Sequence, residues 1–329
     1  MVPSNSNREV QCLRGLSILA VIAFHSKDAL TPNGYLGVDV FFLISGYLII
    51  PRAVQAVKSR SLREFYERRF RRLAPATIFM LATMLPTVLV LGSWQSHTQF
   101  VFQGILTLLL LGNVGAILIT GDYFSPTGFM PLVHTWSLSL EEQFYALLPI
   151  VLNARKFVLV ILSGASLLLF VSQSALDLED ESWLFYLIFA RIWEFHLGYL
   201  VYIRKRSKNS TWFNGVLTLS VLVAYMFSPI AGPNIMGTLL VLILASNYIL
   251  QTQSDYKIIS ILGKIGDRAY SLYLFHMPIL YLAKYSPLIY SQDRMVHTGI
   301  GLLITFGMAE LCYRKFEYSF MAKKVHDEN

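Results

Sequence analysis

Leu13-Arg-Gly-Leu-Ser-Ile-Leu-Ala-Val-Ile-Ala-Phe-His25 reads as one apolar stretch with an arginine near its start and a histidine at its end. On a helix, the eleven steps from Arg14 to His25 return to within roughly 20° of the starting direction and climb about 16 Å. The guanidinium and the imidazole therefore project from one face, about half a bilayer's hydrocarbon thickness apart. A cation that deep in lipid costs at least about 2.5 kcal/mol, so it faces a protein-lined or wet interior. The first helix is thus expected to line a reaction or transport path. The run is no cleaved leader on this reading, because Arg14 interrupts it and no small-residue cleavage pattern follows. A second run, Leu36 to Ile50, comes at once, and the amino terminus is expected to be retained.

The remaining composition agrees. Of 329 residues, 55% are hydrophobic and 14% charged, and the mean hydropathy is +0.53. An ordinary soluble domain is excluded, since several runs approach the ~20 apolar residues that a membrane span needs. The net charge of +7 does not point to nucleic acid, because the basic residues lie between spans, where the positive-inside rule expects them. Cys12 and Cys312 offer no disulfide framework, metal spacing or redox motif, and both are expected to be reduced, packed thiols.

Eleven apolar segments can be marked, at 13–30, 36–51, 74–93, 101–120, 138–152, 157–173, 183–203, 213–229, 232–250, 269–286 and 296–316. Charge bias orients them. Arg52, Lys58, Arg60, Arg63, Arg68, Arg69, Arg71 and Arg72 make the connection 52–72 cytosolic, as do Arg155-Lys156, Arg204-Lys205-Arg206 and Lys323-Lys324. An even number of crossings must join Arg72 to Arg155, yet three candidates lie between them. Glu141-Glu142 makes the segment 138–152 the weakest, so it is predicted to be re-entrant or partial and to line a cavity. The fold class is therefore all-α: a polytopic helical membrane protein with about ten transmembrane helices and one re-entrant or partial segment. It forms a single integral-membrane domain over 1–329 with both termini cytosolic.

Five polar groupings carry the chemistry. Asp39, in Gly37-Val-Asp-Val-Phe-Phe-Leu-Ile-Ser-Gly46, either accepts from His25 or Arg14 or is a helix N-terminal acid favoured by the dipole. The glycines there suit close helix packing rather than phosphate. Arg69 and Arg72, three apart, share a helical face that suits a polyanionic donor such as a coenzyme phosphate, or else a positive-inside anchor on anionic lipid. His134-Thr-Trp-Ser-Leu-Ser-Leu-Glu-Glu-Gln-Phe-Tyr145 combines a base, acids and hydroxyls. It suggests proton handling through His134, Glu141 and Glu142, unless Glu142 is a structural carboxylate paired to an arginine. Arg191 and Glu194, three apart, are expected to neutralise each other. Tyr270, Tyr273 and His276 line the same cavity or contact an acceptor hydroxyl, unless the tyrosines belong to an interfacial aromatic belt. The histidines lack the His-x-x-x-His spacing of metal ligands, so no metal is expected.

In this combination and order the chain resembles the membrane acyltransferase family 3, bacterial O-acyltransferases of surface and exported sugars. The resemblance rests on Arg14-x10-His25, the Gly37–Gly46 run, Arg69-x-x-Arg72 with Leu73 and Pro75, His134-Thr-Trp-Ser with Glu141-Glu142-Gln-Phe-Tyr145, and Tyr270-Ser-Leu-Tyr-x-x-His276-x-Pro278. Two departures accompany it. Glu317-Tyr318-Ser319 lacks the proline of the family's Glu-x-Pro element, so no role is assigned to Glu317. The sequence also ends without the SGNH hydrolase-like domain of some members, so transfer is expected to finish in the membrane domain or with a separate partner.

The resemblance implies an acyl-CoA co-substrate, most often acetyl-CoA, entering from the cytosol of a bacterial inner membrane, with no permanently bound cofactor. It implies as acceptor a hydroxyl of a glycan such as O-antigen, exopolysaccharide or a lipid-linked precursor, in company with polysaccharide-synthesis proteins. Arg69 and Arg72 would hold CoA phosphates. His25, aided by Arg14 and Asp39, would act as general base or briefly carry the acyl group. Glu142 or Glu141, with His134, would orient the cavity or relay the proton. The competing function is a transporter or flippase for a lipid-linked glycan, with Arg14 and His25 along its path; a scaffold with a degenerate site is a third.

Overall fold

The computed structural model describes residues 6–26, 31–91, 94–119, 130–154, 156–175, 184–204, 212–227, 235–250, 257–285 and 294–318. The described helices are α1 Ser6–Ser26, α2 Gly37–Lys58, α3 Leu62–Leu91, α4 Trp94–Leu108, α5 Gly112–Ile119, α6 Thr135–Ala154 and α7 Lys156–Ala175. They continue as α8 Ile192–Ile203, α9 Trp212–Met226, α10 Ile235–Leu250, α11 Lys257–Asp267, α12 Ala269–Tyr285 and α13 Arg294–Cys312, the last running into a π-helical turn at Tyr313–Glu317. No strand occurs among the described residues.

Three stretches, Gly34–Lys58, Leu62–Leu91 and Met295–Glu317, are long and apolar enough to cross a bilayer, and shorter apolar helices accompany them. Large side chains including Leu168, Leu303 and Val90 stand exposed on helix surfaces. Water would penalise each of them, and hydrocarbon does not. The chain is an all-helical polytopic membrane protein.

In α3 the basic run and the following apolar run form one 30-residue helix, about 45 Å long. Pro75 and Pro86 lie within it. Arg68–Glu64 and Arg71–Glu67 pair one turn apart on its exposed side, while Ala76, Met80, Met84 and Val88 form a buried stripe at the helical spacing.

The chain divides into two compact units, 1–60, 144–180 and 187–269 in the first, and 61–143, 181–186 and 270–329 in the second. The first unit is built on helices in backbone contact. A Cβ on Gly46 would overlap the Phe195 carbonyl, and one on Gly198 would overlap the Leu43 carbonyl. Only hydrogen fits where α2 crosses α8, which confirms the packing role expected of the Gly37–Gly46 run. Above that crossing Phe195 stacks on Phe144 at 4.2 Å and tilts against Phe42 at 4.9 Å. Gly15 of α1 and Gly266 of α11 form a second crossing of the same kind.

The second unit packs the α3 stripe with Phe100, Leu132, Phe275, Ile279 and Cys312. Cys12 and Cys312 are buried thiols, as expected.

The segment 138–152 lies in α6, an unbroken 20-residue helix, and a break that the sequence did not predict falls in 101–120, between α4 and α5, where Leu110 takes φ 60°. Gln143 donates to the Leu110 carbonyl at 2.8 Å, and Ser139 accepts the Gly112 N–H at 2.9 Å. Side chains of α6 thus satisfy backbone groups that the break exposes. Helix α11 was not predicted either.

Gly46→Ala and Gly198→Ala should each destabilise the protein by about 1–3 kcal/mol through overpacking. At Gly299, where a Cβ meets no atom within 4 Å, Ala should leave stability unchanged or slightly raised. Fluorescence-detected size-exclusion chromatography after graded heating checks this ordering.

Candidate functional site

In the first unit the strongest electrostatic feature joins α2 to α8. Arg191 donates through Nη1 to Asp39 Oδ1 at 2.9 Å and to Glu194 Oε1 at 2.8 Å. All three side chains are buried, with exposures of 1%, 2% and 0%, and the guanidinium lies 5.4 Å from the centroid of the Phe170 ring. The expected Arg191–Glu194 neutralisation is present. Of the two readings of Asp39, a contact to His25 or Arg14 is not seen among the described residues, where Arg191 Nη1 takes its Oδ1 instead. Asp39 also stands in the first turn of α2, where the helix dipole favours an acid.

His25 ends α1 with Nδ1 at 2.9 Å from the Val21 carbonyl oxygen. A carbonyl only accepts, so Nδ1 carries the proton, and the lone pair of the neutral ring resides on Nε2. The ring meets Phe24 edge-on at 5.0 Å, and Phe24 in turn contacts Tyr35. Arg14, two turns from the other end, donates to Gln11 Oε1 at 3.2 Å and interacts electrostatically with Asp267 of α11.

The second unit gathers most of the remaining candidates. Arg69 Nη2 lies 3.7 Å from Glu141 Oε1 and 3.8 Å from Glu142 Oε1, and Arg72 also acts electrostatically on Glu142. These distances are ion pairs without hydrogen-bond contact, which a stronger anion can replace. They also explain why α6 stays helical: its adjacent carboxylates have a cation beside them.

Around the start of α6, Ser137 Oγ and Tyr273 Oη hydrogen-bond at 2.6 Å, and the Tyr273 hydroxyl lies 3.0 Å from the His134 carbonyl. His134 Nε2 donates to the Leu274 carbonyl at 3.2 Å, and His276 Nδ1 to the Tyr273 carbonyl at 2.7 Å. The two imidazoles meet edge-on at 5.1 Å. Tyr270 of α12 stands apart from them and faces α3, its hydroxyl 2.8 Å from Thr77 Oγ1 and 3.1 Å from the Leu73 carbonyl. The structure therefore brings Arg69, Arg72, Glu141 and Glu142 into one group and His134, Tyr273 and His276 into another.

The acyltransferase domain family matches residues 7–314, spanning nearly all of both units. The chain belongs to that acyltransferase family. Among curated proteins it is 31% identical over 301 residues to BcsY of Komagataeibacter xylinus, which is named for the membrane-bound transacylases; the match covers 86% of this chain and 75% of BcsY. It is 29% identical over 339 residues to the O-acetyltransferase OatA of Staphylococcus aureus, covering 93% of this chain and 55% of OatA. With the peptidoglycan O-acetyltransferase OatA of Listeria monocytogenes it shares 31% identity over 346 residues, covering 93% of this chain and 54% of that protein. The acyltransferase thus spans about half the length of the OatA proteins. No solved structure matches it.

Sequence reasoning missed two buried polar groups of this acyltransferase. Glu317, given no role because its proline is absent, is buried on the π-helical turn and accepts from Ser271. Gln103, Thr107 and Thr135 form a buried cluster between α4 and α6. Scattered polar residues within apolar runs were the available signal, and nothing local revealed their partners.

Arg191→Met leaves two buried carboxylates without their cation and should cost about 3–5 kcal/mol. Arg68→Ala breaks only an exposed pair and should leave the melting temperature in place. Thermal melting of purified variants in detergent measures both.

Proposed function

We propose that this acyltransferase moves an acyl group, acetyl in the first instance, from acyl-CoA on the cytosolic side of a bacterial inner membrane to a hydroxyl of a surface or exported sugar. Its family and the O-acetyltransferase names of relatives aligned over 93% of the chain are the observation that carries this reading. O-antigen, exopolysaccharide or a lipid-linked precursor supplies the hydroxyl, and both termini lie in the cytosol.

The residues suit that chemistry. A thioester is already activated, so the protein has to deprotonate a hydroxyl, stabilise the charge that develops, and hold a polyanionic donor. His25 takes the base role: its Nδ1–H is anchored on Val21, and Nε2 accepts the hydroxyl proton. The sugar oxygen bonds to the acyl carbon, the carbon–sulfur bond breaks, and the proton passes to the thiolate to give CoA-SH. The same nitrogen can instead take the acyl group first and pass it on. Arg14 supports the charge on that helix, and Arg191 fixes Asp39 and the start of α2.

In the second unit, Arg69 and Arg72 receive CoA phosphates in exchange for the loosely held Glu141 and Glu142. Glu142 and His134 relay protons, while Tyr273 and His276, with Tyr270, contact the acceptor. Phosphate binds bidentately to a guanidinium more strongly than a carboxylate near 3.8 Å does.

Membranes containing the wild-type protein, given radiolabelled acetyl-CoA, should transfer label to glycan. His25→Ala should lower the rate about 10²-fold or more. Equal labelling by the two would overturn the assignment of His25.

A further inference from the structure

Thr135, Ser139 and Gln143 follow one another at four-residue intervals on α6 and form one polar stripe. Each bonds to the break between α4 and α5 or to the helix just before it. Thr135 Oγ1 meets Thr107 Oγ1 of α4 at 2.9 Å, and Ser139 Oγ accepts the Gly112 N–H at 2.9 Å. Gln143 is held at both ends of its amide. Its Nε2 donates to the Leu110 carbonyl at 2.8 Å and to Asn113 Oδ1 at 2.9 Å, while its Oε1 accepts from Asn113 Nδ2 at 3.4 Å. A carbonyl only accepts, so the end of the amide at Leu110 is nitrogen. The two amides grip each other in both directions, and Asn113 Nδ2 also donates to the Tyr186 carbonyl at 3.2 Å.

The roles assigned above do not use Gln143, yet it directly follows Glu141 and Glu142. Successive residues on a helix point about 100° apart, so a side chain gripped at 143 fixes the direction in which both carboxylates stand. Arg69 is carried by α3, and α4 packs on α3 at Gly104, where a Cβ would lie 3.4 Å from Leu81. The residues 110–113 therefore tie the helix of the carboxylates to a helix packed on that of the arginine.

Magnitudes show how much depends on that tie. Arg69 Nη2 stands 3.7 Å from Glu141 and 3.8 Å from Glu142. A direct charge-assisted hydrogen bond is shorter by about 0.8 Å or more. At a radius of about 6 Å from the helix axis, a rotation of α6 by about 10° moves a carboxylate by about 1 Å. That small turn would bring a carboxylate into hydrogen-bond contact with Arg69, and a guanidinium so engaged is harder for a phosphate to claim. We propose that Gln143 is a positioning residue for the donor site: through Leu110 and Asn113 it holds α6 in the rotation that keeps Glu141 and Glu142 beside Arg69 without closing on it. Gln143 acts through α6 and not by touching the donor. The inference rests on the reading of Arg69 as a CoA-phosphate site and adds to it the residue that keeps that site open.

The experiment uses the full chain in nanodiscs and measures the affinity of CoA itself, then steady-state transfer from acetyl-CoA to a glycan acceptor. Gln143→Met breaks the grip from α6, and Asn113→Ala breaks it from α5. Each should raise the Kd for CoA and the KM for acetyl-CoA about three- to tenfold, with kcat within about threefold of wild type. Thr107→Val removes a bond of the same stripe nearly two turns from the carboxylates. It should lower the melting temperature and leave the Kd for CoA unchanged. If Gln143→Met fails to fold, Asn113→Ala carries the test. A folded Gln143→Met protein with the wild-type Kd for CoA would overturn the positioning role. So would a rise in Kd for Thr107→Val as large as that for Gln143→Met, which would mark a general loss of stability. Wild-type protein that binds no CoA would instead overturn the donor site at Arg69, and the positioning role with it.

Discussion

A charge carried into a membrane-embedded helix has to find its counter-charge within the protein, and this constraint organises the chain. Lipid offers no solvation, and an unpaired ion at depth costs several kcal/mol. The first unit meets the constraint with Arg191 between Asp39 and Glu194, at 2.9 and 2.8 Å. The second sets Arg69 beside Glu141 and Glu142, in a partly exposed group. The two solutions differ in kind. The Arg191 group is short, directly hydrogen-bonded and sealed, as suits a structural joint between α2 and α8. The Arg69 group is longer and partly exposed, with side chains at 12–22%, as suits a site where one anion gives way to another.

Backbone contact supplies the second half of the architecture. Without a hydrophobic drive between helices in lipid, association relies on close packing and on polar bonds. Gly46 and Gly198 allow α2 and α8 to touch at their carbonyls, which brings Asp39 and Arg191 within direct reach. The small residues and the ion group act on one joint, and neither would hold it as tightly alone.

How much of this was legible in the sequence follows from which interactions are local. Apolar run length located nearly every helix, and the three-residue spacing of Arg191 and Glu194 gave their pairing. The partner of Arg191 on α2 lies 152 positions away, so no periodicity could assign Asp39 to it rather than to the nearer His25 or Arg14. The break near Leu110 was hidden because Leu108 to Leu111 is continuously apolar, and the one turn signal beside it, Gly112-Asn113, is embedded in an apolar run long enough to read as a single span. Its cause lies on α6, in Ser139 and Gln143. Helix α11 was hidden for the opposite reason. It is 11 residues long with lysines among its isoleucines, too short and too polar to register as a span, and it is held by the Gly15–Gly266 crossing. Glu142 was read with an arginine partner as one alternative, and the structure supplies that arginine as Arg69.

The central claim is that this membrane domain uses a cytosolic thioester to acylate a sugar hydroxyl. Purified protein reconstituted into vesicles of defined sidedness, given labelled acetyl-CoA at the face bearing the Arg52–Arg72 connection and a glycan acceptor, tests it most directly. The account predicts acetyl ester on the glycan together with stoichiometric CoA-SH, and none when acetyl-CoA is supplied only at the other face. Unmodified glycan in the presence of acetyl-CoA at either face, or glycan carried across the vesicle membrane without acylation, would contradict it.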